Sequence, residues 1–233
     1  MPVNSPRVLL EPEAIPLLRA YGIPYPDYAV AHSVEEAVEI AACLEYPVVL
    51  KVVSPDVIHK SDVGGVAVGL EDAQGVAVAY ERIVTSVYEH VPDADIQAML
   101  VCRQAPAGLE VIVGALQDAM FGPTLMFGLG GVFAEVLRDI TFRVVPLERR
   151  DAQEMIREIR GYSLLEGVRG RSGHDVHALV NLLLSVSRMV TEHPEIEEMD
   201  LNPVRLFDRG LAVLDVRILV TQTECAKRQS SGV

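Results

Sequence analysis

Basic side chains are scarce in this sequence. Twenty lysines and arginines stand against 33 aspartates and glutamates, a formal net charge of −13. Nucleic-acid binding rests on clustered Lys and Arg that neutralise phosphates. The balance therefore excludes a nucleic-acid backbone as partner and fits a solvated acidic surface. Cysteine is scarce too: Cys43, Cys102 and Cys225 are an odd number, at spacings that match no metal-binding pattern. They read as reduced thiols, which favours a cytoplasmic address. No apolar run is long enough to span a bilayer. The opening residues MPVNSPRV lack the basic stretch followed by an apolar one that marks a signal peptide, so neither feature is expected. Also missing are the P-loop pattern, a GxGxxG fingerprint, a Gly-x-Ser-x-Gly elbow and a Cys/His pair at hydrolase spacing.

What remains is apolar for half of its 233 residues, enough to fill one domain or two modest lobes. Apolar spacing predicts a helix over 9–21, with Pro12 suiting its first turn and Gly22 ending it. Residues 22–103 then read as a compact α/β lobe. A strand over 27–31 is followed by a helix capped by Ser33, with Glu36 completing a capping box, that runs to about 45. Strands over 47–53 and 65–70, a helix capped by Asp72 running to about 90, and a strand over 95–101 complete this lobe. The small-residue stretch 104–108 reads as a hinge. Strands are expected over 109–116, 124–127, 133–137 and 141–144, helices over 148–159 and 176–190, and a loop over 161–173. A final hairpin pairs 198–207 with 211–219 around Asp208-Arg209-Gly210. A larger lobe of 1–21 with 104–220 is thus expected beside the smaller one, with a flexible tail over 221–233.

Four constellations stand out. Lys51 sits inside an apolar strand, where a charge is costly unless matched. It is either an edge-strand lysine reaching solvent or a lysine reaching an anion such as a phosphate. Next comes His59-Lys60-Ser61-Asp62-Val63-Gly64-Gly65. Its glycines permit backbone amides to approach an anion, or simply make a tight turn, and His59 is either functional or a surface histidine. Third, the hairpin register that leaves Asp208 and Arg209 in the turn sets Asn202 opposite Asp215, with Asp200 on the same face by the strand period. Such oxygen ligands suit Mg²⁺; the plain alternative is a polar sheet face. Fourth, the glycine-rich 127–135 stretch suggests close approach of backbone to a ligand or partner, or a bulge. Glu110, opening a strand, can be read as a solvated edge charge.

Several segments together resemble a known family. They are 46–65 (YPVVLKVVSPDVIHKSDVGG), Phe121-Gly122-Pro123 with FGLGGVFAEVLRD, Asp200-Leu201-Asn202-Pro203, and Leu17-Leu18-Arg19-Ala20-Tyr21-Gly22-Ile23-Pro24. In this order, over residues 8–220, they resemble the β subunit of ADP-forming acetyl-CoA synthetase and, more distantly, that of succinyl-CoA synthetase. The resemblance implies an ATP-grasp fold, with two α/β lobes holding ATP or ADP between them. It implies that Lys51 contacts phosphates, that the Gly64-Gly65 turn lies over them, and that Gln97, Met99 and Val101 line the adenine slot with Glu110 nearby. Asn202 and Asp215 would hold Mg²⁺, Arg143 would reach the terminal phosphate, and His59 would be a phosphohistidine that relays a phosphoryl group to ADP. The partner implied is an α subunit carrying the CoA-binding and catalytic-histidine domains, in an α2β2 assembly. A different ATP-grasp carboxylate ligase and a non-catalytic nucleotide-sensing module are the rival readings; neither uses a histidine relay.

Overall fold

The computed structural model describes residues 6–131, 139–167 and 173–221. Short strands rich in β-branched residues build a four-stranded antiparallel sheet. Its members are β2 (Tyr28–Ala31), β3 (Val48–Val53), β4 (Val66–Leu70) and β5 (Ala98–Arg103), in the order β2-β5-β3-β4. Val48, Leu50 and Val52 on β3 and Met99 and Val101 on β5 pack with α2 (Val34–Leu44) and α3 (Ala73–His90) into one apolar cluster. Side-chain caps start both helices: Ser33 accepts from the Glu36 amide at 3.2 Å, and Asp72 from the Gly75 amide at 2.7 Å. The capping box is stretched by one residue, because Glu36 reaches back to the His32 amide at 2.7 Å.

The second sheet runs β1-β11-β9-β6-β7-β8, with β10 also paired to β9. These are β1 (Pro6–Leu9), β6 (Leu109–Asp118), β7 (Gly122–Leu129), β8 (Ile140–Val144), β9 (Ile196–Leu206), β10 (Leu211–Val213) and β11 (Val216–Thr221). One face is covered by α1 (Glu11–Ala20), α4 (Arg149–Arg157) and α6 (Val176–Glu192). On α6 the expected stripe of Leu179, Leu182, Leu183, Val186 and Val190 is buried. Each such side chain contributes about 1.5–3 kcal/mol by removal from water, an upper figure against an extended chain.

Two expectations need correction. The helix expected over 9–21 starts only at Glu11, because residues 6–9 form a strand that pairs with β11. The stretch expected as loop contains α5 (Tyr162–Glu166), one short turn closed onto Leu165. The strand expected over 133–137 and the tail beyond Thr221 lie outside the described residues. The two sheets share packing: Val53, Ala98, Leu100 and Cys102 of the smaller one belong to the same apolar cluster as Ile15, Leu18, Ile23 and the core of the larger one. Among the described residues no helix is long and apolar enough to cross a membrane.

Candidate functional site in the cleft between the sheets

Strand alternation turns Val49 and Lys51 away from the helices and toward the larger sheet. β3 is an interior strand and Lys51 is 7 % exposed, so an edge-strand lysine reaching solvent is excluded. Its ammonium lies 2.7 Å from Glu11 Oε1 and 2.9 Å from the Tyr25 hydroxyl, and it also donates to the Leu214 carbonyl. Tyr25 in turn donates to Glu11. Lys60 joins the same cluster, 2.8 Å from Asp215 Oδ1 and 3.3 Å from Glu11 Oε2. Two cations from the smaller lobe thus meet two carboxylates, Glu11 from α1 and Asp215 from the β10–β11 connection.

Burial works to lower the pKa of each lysine, but the charges of Glu11 and Asp215 outweigh it and raise both. Both therefore carry full charge at neutral pH. Burial would lift Asp215, yet Lys51 and Lys60 pull it below the usual carboxylate value. Glu11 sits deepest and is raised by desolvation, against the opposing pull of Lys51. Desolvation, then the Glu11 charge, also drives the Tyr25 phenol well up.

Lys51, Tyr25 and Asp215 of this cluster line a cavity of about 400 Å³ between the sheets. Its wall includes Val49, Val66, Val68 and Cys102 from the smaller lobe and Asn202, Arg205, Leu214 and Asp215 from the larger one. An apolar upper wall with cations and oxygen ligands at the base is the lining expected for a flat aromatic group joined to phosphates. Asn202 also lines a second cavity of about 870 Å³ on the open face of the larger sheet, together with Asp200, Glu198, Gly114 and Met126.

The hairpin register holds. Leu206 pairs with Leu211 and Val204 with Val213, Asn202 donates to the Asp215 carbonyl at 3.2 Å, and Asp200 faces Arg217. Asn202 and Asp215 therefore meet at the cavity, and both offer oxygen to a hard cation. Asp200 hydrogen-bonds Asn202 and lies near His59; burial, then Glu198, raises its pKa. Among the described residues no group of three His, Cys, Asp or Glu could hold a metal by itself, so a cation here would complete its shell with ligand and water oxygens. His59 is exposed in the segment between β3 and β4.

Other expected residues fall elsewhere. Met99 and Val101 are fully buried against the helices, and the cavity face of β5 is presented by Cys102 instead. Cross-strand pairing explains this: Lys51 pairs with Leu100 and Val49 with Cys102, and opposed residues share a face. The Gln97 side chain donates to Asp95 at 2.9 Å, beyond the cavity. Gly64 and Gly65 do not line the cavity either. A Cβ on Gly64, at φ +66°, would meet Ser86 Oγ at 2.5 Å, and one on Gly65 would meet the Lys60 carbonyl at 2.9 Å. Glu110 pairs with Arg205 at 2.5 Å and so braces a cavity residue. Arg143 lies on edge strand β8 in an ion pair with Glu158, apart from the cluster. Glu11, Tyr25, Cys102 and Arg205 are not expected at the site from the sequence, and Lys60 is expected only as a member of the His59–Gly65 stretch, without a role.

The chain matches the family model of the ATP-grasp domain over residues 3–220. It is 43 % identical over 214 residues to acetate–CoA ligase (ADP-forming) I subunit beta of Pyrococcus furiosus, covering 92 % of both chains. It is 48 % identical over 208 residues to acetate–CoA ligase (ADP-forming) I of Archaeoglobus fulgidus, where it spans 89 % of this chain but 30 % of that longer protein. Its fold matches the acetyl-coenzyme A synthetase 1 of Ca. Korarchaeum cryptofilum, solved with coenzyme A and Ca-AMPCP, at a TM-score of 0.90 and 48 % identity over 92 % of this chain and 93 % of that one. Other structures of that relative show a phosphohistidine segment, in one case phosphorylated and in another pointing towards the nucleotide-binding site. The chain belongs to the ATP-grasp family, among the β subunits and β regions of the ADP-forming acetate–CoA ligases.

Proposed function

We propose that this chain is the nucleotide-binding subunit of an ADP-forming acyl-CoA synthetase, interconverting acyl-CoA, ADP and phosphate with acid, ATP and CoA together with an α partner. The observation that carries this reading is the convergence of Lys51, Asn202 and Asp215 on one cavity, with Lys60 bridged to Asp215 and an exposed histidine on the adjoining segment. Cleft lysines suit the spread of negative charge on phosphates in phosphoryl transfer. Val49, Val66 and Cys102 would hold the base, and Lys51 the phosphates. Asn202 and Asp215 would hold Mg²⁺, which neutralises phosphate charge when bound.

His59 is the proposed carrier. A neutral imidazole nitrogen attacks the phosphorus presented by the partner, whose own phosphoryl-bearing atom leaves with the bonding pair. In the second step a terminal oxygen of ADP attacks the same phosphorus and the imidazole leaves with its electron pair, giving ATP. Nothing in this scheme uses Arg143. The fused A. fulgidus relative is much longer than this chain, which supports an α partner that carries the acid and CoA sites. Ile140, Phe142 and Val144 expose an apolar row on edge strand β8, the type of surface that marks a protein contact.

The test is His59→Ala, co-expressed with the α chain and assayed for ATP formation from acetyl-CoA, ADP and phosphate. ATP formation should disappear while nucleotide affinity stays within about threefold, a change of less than 1 kcal/mol. Wild-type turnover in the variant would sink the relay and leave a different ATP-grasp ligase.

A further inference from the structure

We propose that Lys60 is a positioning residue, a latch that holds the His59 segment docked on the larger lobe and yields when a nucleotide complex claims Asp215. This rests on the reading that His59 carries a phosphoryl group.

The segment over 54–65 has two kinds of attachment. Its flanks are tied to its own lobe: Asp56 accepts from the Asp95 amide at 2.8 Å, and the Val63 carbonyl accepts from Ser86 Oγ at 2.9 Å. Its centre is tied across the cleft by the Lys60 side chain, which is 14 % exposed and bridges Asp215 and Glu11. Backbone bonds Asp62 to His59, Gly64 to Ser61 and Gly65 to Lys60 fold 59–65 into a closed turn. His59 therefore shares a small closed turn with Lys60, and whatever holds Lys60 sets the balance between docked and free His59. The imidazole itself is exposed, as are Ser61 and Asp62. Flank ties of this kind act as pivots, and the charged tie at the centre acts as the releasable contact, its shorter arm the one to Asp215.

The latch also has a built-in competitor. Asp215 Oδ1 is the atom that Lys60 holds, and it faces the same cavity as Asn202. One carboxylate oxygen cannot hold an ammonium at 2.8 Å and a divalent cation with full strength. Nucleotide occupancy and segment docking are therefore coupled, and the coupling must be reciprocal.

The experiment compares full-length wild type, Lys60→Met and Lys60→Arg by amide hydrogen exchange, and by transfer of acid-labile label from Mg²⁺ with ATP radiolabelled on its γ-phosphate. Lys60→Met should speed exchange of the 56–65 amides on the order of tenfold with the rest of the chain unchanged, and should slow labelling. Lys60→Arg, which keeps the charge, should restore both to within about threefold. Unchanged exchange over 56–65 in Lys60→Met overturns the latch, and so does a failure of arginine to rescue. If wild type takes no acid-labile label, the relay falls while the exchange comparison still decides the latch.

Discussion

Glu11 Oε1 lies 2.7 Å from Lys51 Nζ, with 3 % and 7 % of the two residues exposed. The carboxylate comes from the first turn of α1 and the ammonium from an interior strand of the smaller sheet, so this pair pins α1 beneath the cleft. A pair so buried gains little net stability, because desolvating both ions offsets their attraction, but losing one partner leaves the other with only a longer contact, Glu11 to Lys60 at 3.3 Å or Lys51 to Asp215 at 3.9 Å.

Single substitutions should therefore be costly and the double substitution less so. Lys51→Met or Glu11→Leu alone should lower unfolding free energy by about 3 kcal/mol, the low end for a buried ion that loses its nearest partner, because a second counter-charge remains. Combining them should cost clearly less than the sum of the two, because no isolated charge remains. Urea unfolding of the four proteins closes the cycle, and strict additivity would show that the pair is not coupled.

Alkaline pH should weaken the fold. Burial pushes the Cys102 thiol up to about 11, and also raises Tyr25. The unfolded chain releases these protons first, so the folded state binds more protons and stability falls as pH rises. Lys51 and Lys60 act in the same direction: their raised values mean a contribution fully present below about 10.5 and lost as pH climbs through the folded values. Between pH 9 and 11 Cys102 alone should remove roughly 2–3 kcal/mol. Urea midpoints at pH 8, 9, 10 and 11 measure the slope, and Cys102→Ala should flatten it in that window. An unchanged slope in the variant would place the thiol outside the effect.

Periodicity made much of the fold legible. Stripes such as Leu179 to Val190 and caps such as Ser33 and Asp72 are local, so they can be read without partners. The hairpin was legible for the same reason: three turn residues fix which atoms oppose one another, and Asn202 duly met Asp215. Other parts depend on contacts distant in sequence. Glu11 looks like an ordinary acidic residue in a helix's first turn, and only the fold reveals Lys51 forty positions away. Met99 and Val101 against Cys102 is a question of one residue in phase, which a strand's sequence does not settle when both faces are apolar. Pairing with Lys51 would have settled it. β1 is not legible because its four residues, opening on Pro6, are too few to carry a period, and its strand state comes from pairing with β11.

Gly65 should not tolerate a side chain. A Cβ there would lie 2.7 Å from Val52 Cγ1 and 2.9 Å from the Lys60 carbonyl, and the second neighbour is backbone that cannot rotate away. Gly65→Ala should cost about 1–3 kcal/mol as an overpacked site. It should also loosen the turn that carries His59. Gly22, at φ +69° with open space around its Cβ position, is the contrasting case, where strain is purely conformational. Thermal melting of Gly65→Ala and Gly22→Ala should rank the first as more damaging; the reverse order would mean that the Gly65 turn relaxes freely.

Asp215 supports two partners, and its replacement should separate them. Asp215→Asn keeps the shape but removes the charge that draws Lys60 and, in the proposed function, Mg²⁺. Lys60 keeps Glu11 at 3.3 Å, so the cluster retains one counterion and the fold should hold. Nucleotide binding should weaken on the order of tenfold in Mg²⁺, because a neutral amide is a poorer ligand for a hard cation than a carboxylate. Without Mg²⁺ the same variant should bind nucleotide no more than about twofold differently, since an anionic ligand gains from the lost negative charge what it loses in geometry. Asn202→Ala should show the Mg²⁺-dependent loss as well, without altering the Lys60 bridge. Calorimetric titration with ADP in the presence and absence of Mg²⁺ gives two affinities for each variant, to be set against the two of the wild type. An equal loss with and without Mg²⁺ would assign Asp215 to the lysines alone and move the cation elsewhere in the cleft.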